Sequence, residues 1–224
     1  MSILQKALAE QAKFLSEHEA KQLLAERGIP VTGDELVTDS DAAVAAAKKI
    51  GFPVVLKGCG RTLLHKTEMD LVKINLGDEA AVRDAATDML SRLPQDADGL
   101  LVCPLVDARR EFIAGVTQDS QFGPVVAFGL GGIFTETLKD VAFRVAPFEI
   151  EDGRDLIRDV QARKLMHEVR GLPAIDRDAM ATLLSNLSKL AAEEAAIEEI
   201  DCNPILANGD QPLVVDALVK LKQQ

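Results

Sequence analysis

The chain has 224 residues, 47% of them hydrophobic, enough for one large domain or two small lobes. Its formal net charge of -11 and pI near 4.8 exclude nucleic acid as a general partner and disfavour an anionic membrane surface. Aromatic residues make up only 4%, with no Trp or Tyr, so platforms for stacking bases are scarce.

In chain order, Ser16-Glu17-His18-Glu19 predicts a helix opened by a capping box, running through Leu23 and Leu24 to Gly28. Asp39 or Ser40 caps a second, alanine-rich helix that ends at Gly51, and Pro53 to Gly58 follows as a buried strand. An alternating strand is expected over Leu71–Leu76 and a helix from about Asp78 to Leu93. Two strands, Gly99–Val106 and Glu111–Thr117, lie close together across a short charged connection, and Pro124–Phe128 runs directly into glycines. Residues 149–196 read as mostly helical, broken at Gly171-Leu172-Pro173, and a hairpin closes the chain. Alternating strands and helices predict an α/β or α+β fold, with a seam between lobes near 94–98 dividing 16–95 from 96–222 within one module spanning 1–224.

The three cysteines, Cys59, Cys103 and Cys202, show no C-x-x-C spacing and fit reduced thiols in a cytoplasmic protein. No secretion signal and no apolar run of about 18 residues is present, so no membrane span is expected.

Several residues could carry chemistry. Lys57 ends an apolar strand, where burying an ammonium is costly unless an anion such as phosphate meets it; a lysine snorkelling from a strand end would look the same. Gly129-Leu130-Gly131-Gly132 follows a strand, so backbone amides could converge on an anion, although an ordinary glycine turn reads identically. Downstream lie Glu136, Lys139, Asp140 and Arg144; Arg144 suits a polyphosphate or a structural ion pair. His65, with Lys66 beside it, follows Lys57 by a few residues and could accept a phosphoryl group, or be structural. In the terminal hairpin, a loop of Asn208-Gly209-Asp210-Gln211 sets Asn203 opposite Asp216, whereas a tight Asn208-Gly209 turn sets Asp201 opposite Asp216. Both registers keep Glu199, Asp201, Asn203 and Asp216 on one face, an oxygen-rich set suited to Mg²⁺ bound with a nucleotide, or a solvated polar face.

Taken together, these stretches form an ordered set from about Ser16 to Leu218. It comprises Glu19-Ala20-Lys21, Gly28-Ile29-Pro30-Val31, Gly51 to Lys57, His65-Lys66, Gln121 to Val125, Phe128 to Phe134, Leu138 to Val141, Phe143-Arg144, Arg170-Gly171, Asp201-x-Asn203-Pro204 and Asp216-Ala217. The set resembles the β subunit, an ATP-grasp domain, of NDP-forming acyl-CoA synthetases, typified by ADP-forming acetyl-CoA synthetase. The resemblance implies two α/β lobes with the nucleotide between them. It also implies the reversible conversion of a carboxylic acid, CoA and ATP to acyl-CoA, ADP and phosphate. ATP or ADP and Mg²⁺ would bind this chain, and CoA only a separate α-type partner subunit that handles the small carboxylic acid or acyl phosphate.

Residue by residue, the resemblance makes Lys57 a phosphate contact, His65 the phosphoryl carrier, and Glu111, Gly129, Gly131 and Gly132 neighbours of the nucleotide. Asp201, Asn203 and Asp216 become the Mg²⁺ set, and Arg144 steadies transferring phosphate charge. The chain departs from the family at Thr67-Glu68-Met69-Asp70-Leu71-Val72, where Ser-Asp and Val-Gly-Gly-Val are usual, and at Val102-Cys103-Pro104-Leu105, where a carboxylate is usual. A non-catalytic nucleotide-binding subunit, or an ATP-grasp ligase acting alone on another carboxylate, are the alternative readings.

Overall fold

The structure, a computed structural model, describes residues 1–132, 140–168 and 171–223. Ile133, Phe134, Glu136, Leu138, Lys139 and Arg170, named above, lie outside the described residues. The chain forms two compact units, Met1–Glu19 with Thr32–Leu105, and Ala20–Val31 with Val106–Gln224.

The first unit opens with α1 (Ile3–Ala9), a short helix absent from the sequence expectation, whose capping box pairs Ser2 with Gln5. The Ser16 box behind α2 (Glu17–Glu26) forms as expected: the Ser16 amide donates to the Glu19 carboxylate at 3.0 Å, and the Glu19 amide to the Ser16 hydroxyl at 3.4 Å. β1 (Glu35–Val37) leads to α3 (Ser40–Ile50), capped by the Asp39 carboxylate and ended at Gly51 with φ +96. Then come β2 (Val54–Cys59), β3 (Val72–Leu76), α4 (Glu79–Arg92, capped by Asp78) and β4 (Gly99–Pro104). The sheet is antiparallel, in the order β1-β4-β2-β3. Val54 and Leu56 point into a core shared with Ala43, Ala47, Val82, Ala86 and Met89 of α3 and α4. Val55 and Cys59 alternate onto the other face with Leu101 and Cys103, and Lys57 shares their parity.

The second unit holds β5 (Glu111–Asp119), β6 (Gly123–Leu130), β7 (Val141–Val145), α5 (Ile150–Asp159), a 3₁₀ turn at Gln161–Met166 and α6 (Arg177–Glu193). β8 (Ile197–Asn208), β9 (Gln211–Val214) and β10 (Ala217–Leu221) complete it. Its antiparallel sheet runs β10-β8-β5-β6-β7, with β9 also paired to β8. Phe112, Ala114, Val116, Val126, Phe128, Ile200, Cys202 and Val219 fill the buried face, with α5 and α6 packed on the sheet. Phe112 and Phe128 stack there with ring centroids 5.8 Å apart.

β4 and β5, expected as near neighbours, belong to different sheets: β4 pairs with β1 and β2, β5 with β6 and β8. The seam expected near 94–98 precedes β4, whose pairing keeps it in the first unit, and the division falls after Leu105. Among the described residues no helix is long and apolar enough to cross a membrane.

Candidate functional site

The candidate residues fall into two groups, one in each unit. In the second unit the terminal hairpin settles the register. Ile205 pairs with Val214 and Asn208 with Gln211, leaving Gly209 and Asp210 as the turn. Asn203 therefore lies opposite Asp216, its amide donating to the Asp216 carbonyl at 3.2 Å. β8 alternates Ile200 and Cys202 into the core with Glu199, Asp201 and Asn203 outward.

Asp201 pairs across to Gly115 on one side and Leu218 on the other. Burial, then the charges of Glu199 and Asp216, push its carboxyl up from 3.8 to about 6, while a hydrogen bond from Asn203 pulls it down. Crowded negative charge with an amide oxygen alongside is what a hard cation relieves. Among the described residues no three His, Cys, Asp or Glu side chains are disposed to hold a metal by themselves. Such a set fits Mg²⁺, which keeps several ligands from water and nucleotide phosphates and needs only one or two carboxylates from protein.

Glu111 opens β5 and meets the glycines directly. Gly131 donates its amide to the Glu111 carbonyl at 2.9 Å. Gly132 has φ +76, and a Cβ there would lie 3.1 Å from the Glu111 carboxylate. The glycine cluster is therefore a seat for Glu111, with the Leu130 and Gly131 amides already donating to the Asp140 and Glu111 carbonyls. Gly129 lies within β6 opposite Val141, where a Cβ would sit 2.4 Å from the Asp140 carbonyl; it permits the close approach of β7. Of the two readings of this cluster, an amide cradle or an ordinary glycine turn, backbone pairing takes up the Leu130 and Gly131 amides.

Arg144 is not brought to the acid group. Asp201, Gly115, Ala127 and Phe143 follow one another across the sheet, so Arg144, next along β7, has the opposite parity. There it pairs with Asp152 at 3.5 Å and Asp159 at 3.3 Å, on α5.

In the first unit, Lys57 is buried, and the anion that meets it is Glu17, at 2.8 Å. Lys66 donates to the other oxygen of the same carboxylate. His65 is exposed, its Nδ1 3.5 Å from Glu68. Arg61 ties to Glu19 at 2.6 Å and Glu10 at 2.7 Å. Burial pushes the nearby Cys59 thiol up to about 11, so it stays protonated at neutral pH. Sequence reasoning used Glu19 for the cap and passed over Glu17, whose partners lie 40 and 49 residues away.

A family model described as an ATP-grasp domain matches residues 6–221. The chain belongs to the ATP-grasp family. It is 39% identical over 220 residues to the acetate–CoA ligase (ADP-forming) I β subunit of Pyrococcus furiosus, covering 96% of this chain and 94% of that one. An acetate–CoA ligase (ADP-forming) of Archaeoglobus fulgidus is 35% identical over 88% of this chain, but the match is only 29% of that longer protein. Solved structures of acetyl-coenzyme A synthetase 1 from Ca. Korarchaeum cryptofilum are 38% identical and cover 98% of both chains. The TM-score is 0.93 for its complex with coenzyme A, Ca-AMPCP and HgCl⁺. It is 0.87 for the complex with coenzyme A and Mg-AMPPCP, in which a phosphohistidine segment points towards the nucleotide-binding site. This ATP-grasp chain is thus similar from end to end to β subunits of ADP-forming acid–CoA ligases.

Proposed function

We propose that this chain is the nucleotide-binding and phosphoryl-transfer subunit of an ADP-forming acid–CoA ligase that works in the cytoplasm with a separate CoA-binding partner. The observation that carries the reading is the Asp201, Asn203 and Asp216 group, whose raised carboxyl calls for a cation, on a chain that matches ligase β subunits over nearly its full length. The β designation of the Pyrococcus relative and the longer Archaeoglobus chain support a partner that carries the rest of the enzyme.

The partner would form acyl phosphate from acyl-CoA and phosphate, releasing CoA, and then the free acid as its own histidine takes the phosphoryl group. His65, exposed on the first unit, would accept that group and pass it to ADP, giving ATP. Each transfer breaks one bond to phosphorus and forms another, and the reverse direction consumes ATP. Lys57 would meet nucleotide phosphates, with Glu17 orienting its ammonium. Glu111, seated on Gly131 and Gly132, would contact the nucleotide, and Asp201, Asn203 and Asp216 would hold Mg²⁺. The ion, when bound, neutralises charge on the phosphates. Arg144, held by Asp152 and Asp159, is left out of this set.

The test combines the purified chain, its cognate partner and labelled ATP. An acid-labile phosphohistidine on this chain, lost in His65→Ala, is expected, together with CoA thioester formation from a panel of carboxylic acids. Absence of any ATP-dependent thioester across that panel would overturn the reading.

A further inference from the structure

Glu17 stands in the first turn of α2 with its side chain only 3% exposed, and its two oxygens are divided between two lysines. Oε1 accepts from Lys57 of β2 at 2.8 Å, and Oε2 accepts from Lys66. Lys57 and Lys66 are themselves 8% and 14% exposed, so both ammonium groups depend on an anion at this position. Lys66 is the immediate neighbour of His65, in the segment joining β2 to β3.

That segment is tied elsewhere as well: Arg92 of α4 donates to the Met69 and Asp70 carbonyls at 3.2 Å each, Lys73 pairs with Asp70 at 2.7 Å, and the Thr62 hydroxyl donates to Asp96 at 2.9 Å. The Leu71 amide donates to the Lys66 carbonyl at 2.8 Å, the Met69 amide to the His65 carbonyl at 3.1 Å, and the Gly58 amide to the Leu71 carbonyl at 2.8 Å. Leu63 and Leu71 anchor it in the core, and Arg61 pairs with Glu19 and Glu10 at its start. His65 itself projects into solvent.

We infer that Glu17 is a positioning residue that sets the His65 segment against the phosphate lysine Lys57 by holding Lys57 and Lys66 on one carboxylate. The inference rests on the proposed function and deepens it. Glu17 makes and breaks no bond; it acts through the two cations. A phosphoryl group on His65 brings roughly two negative charges next to Lys66 and competes with Glu17 for that ammonium. Lys57 keeps its share of the carboxylate, so the lysine assigned to nucleotide phosphate stays in place while Lys66 follows the phosphoryl group.

Two variants separate this role from general support of the fold. Glu17→Gln removes the negative charge that faces both lysines; Lys66→Met removes the tie from the carboxylate to the His65 segment, leaves Lys57 its carboxylate, and keeps the stem's apolar bulk. In the isolated chain, hydrogen exchange at the Met69 and Leu71 amides is expected to rise about tenfold in both variants while the β4 amides stay protected. With partner and substrates, Lys66→Met should lower kcat for phosphoryl transfer about tenfold with nucleotide KM within about threefold of wild type. Glu17→Gln should lower kcat and raise nucleotide KM together, because it also disturbs Lys57.

Unchanged exchange at Met69 and Leu71 in both variants, or wild-type kcat in Glu17→Gln, overturns the inference. Faster exchange in the variants, with no phosphohistidine on the wild-type chain, upholds the tie and defeats the proposed function instead.

Discussion

Replacing Asp201 with Asn should stabilise the metal-free chain at neutral pH and lose that advantage in acid. Burial and the charges of Glu199 and Asp216 raise the Asp201 carboxyl from 3.8 to about 6. A carboxyl that holds its proton more tightly in the folded state contributes stability below pH 3.8 and loses it as pH rises through about 6. At pH 7.5 the charged form therefore penalises the fold, by at most about 3 kcal/mol at about 1.4 kcal/mol per pH unit. Solvent reaches part of the group and screens its neighbours, leaving about 1–2 kcal/mol. For a chain of this length that corresponds to about 3–6 °C in melting temperature. Thermal melts in a chelating buffer should place Asp201→Asn above wild type by that margin at about pH 7.5, with the gap closing towards about pH 4. Adding Mg-ADP should reverse the order, because only the wild type gains the full binding contribution. A gap that does not vary with pH, or a variant less stable than wild type at neutral pH without metal, would refute the assignment of Asp201 as the strained carboxyl.

Three further outcomes are expected. Asn203→Ala and Asp216→Asn should each weaken Mg-nucleotide binding about tenfold or more by titration calorimetry while the melting temperature without metal falls little. Gly132→Ala forces a side chain into φ +76 and 3.1 Å from the Glu111 carboxylate; it should cost about 1–2 kcal/mol in denaturant unfolding and lower nucleotide affinity. Phe128→Ala removes a fully buried ring stacked on Phe112 and should cost about 3–5 kcal/mol, read from the urea midpoint.

Local signals made much of this legible. The Ser16 box, the cap at Asp39 (one of two candidates, with Ser40) and the Gly51 stop are short-range chemistry, and each appears where the sequence places it. The acid face of β8 follows from strand alternation alone, and the turn at Gly209-Asp210 then selects the register with Asn203 opposite Asp216. What escaped was non-local. β4 and β5 are consecutive strands, yet nothing within either says that one completes a sheet with β1 and β2 while the other joins β6 and β8. Arg144 carries the right charge, but its face is fixed by the β6–β7 register, which pairs it with Val126. Glu17 reads as an ordinary first-turn acid until β2 brings Lys57 to it.

The way β8 is threaded also limits how this chain can change in length. Ile200, Cys202 and Ile205 fill one side of the ribbon, and the acid–amide group occupies the other. Losing one residue from the paired stretches Ile205–Asn208 or Gln211–Val214 exceeds what a two-residue turn can absorb. The slip would turn Val219 and Leu221 of β10 out to water and carry Leu218 and Lys220 inward. Deletions here should therefore survive only in pairs, one from each arm.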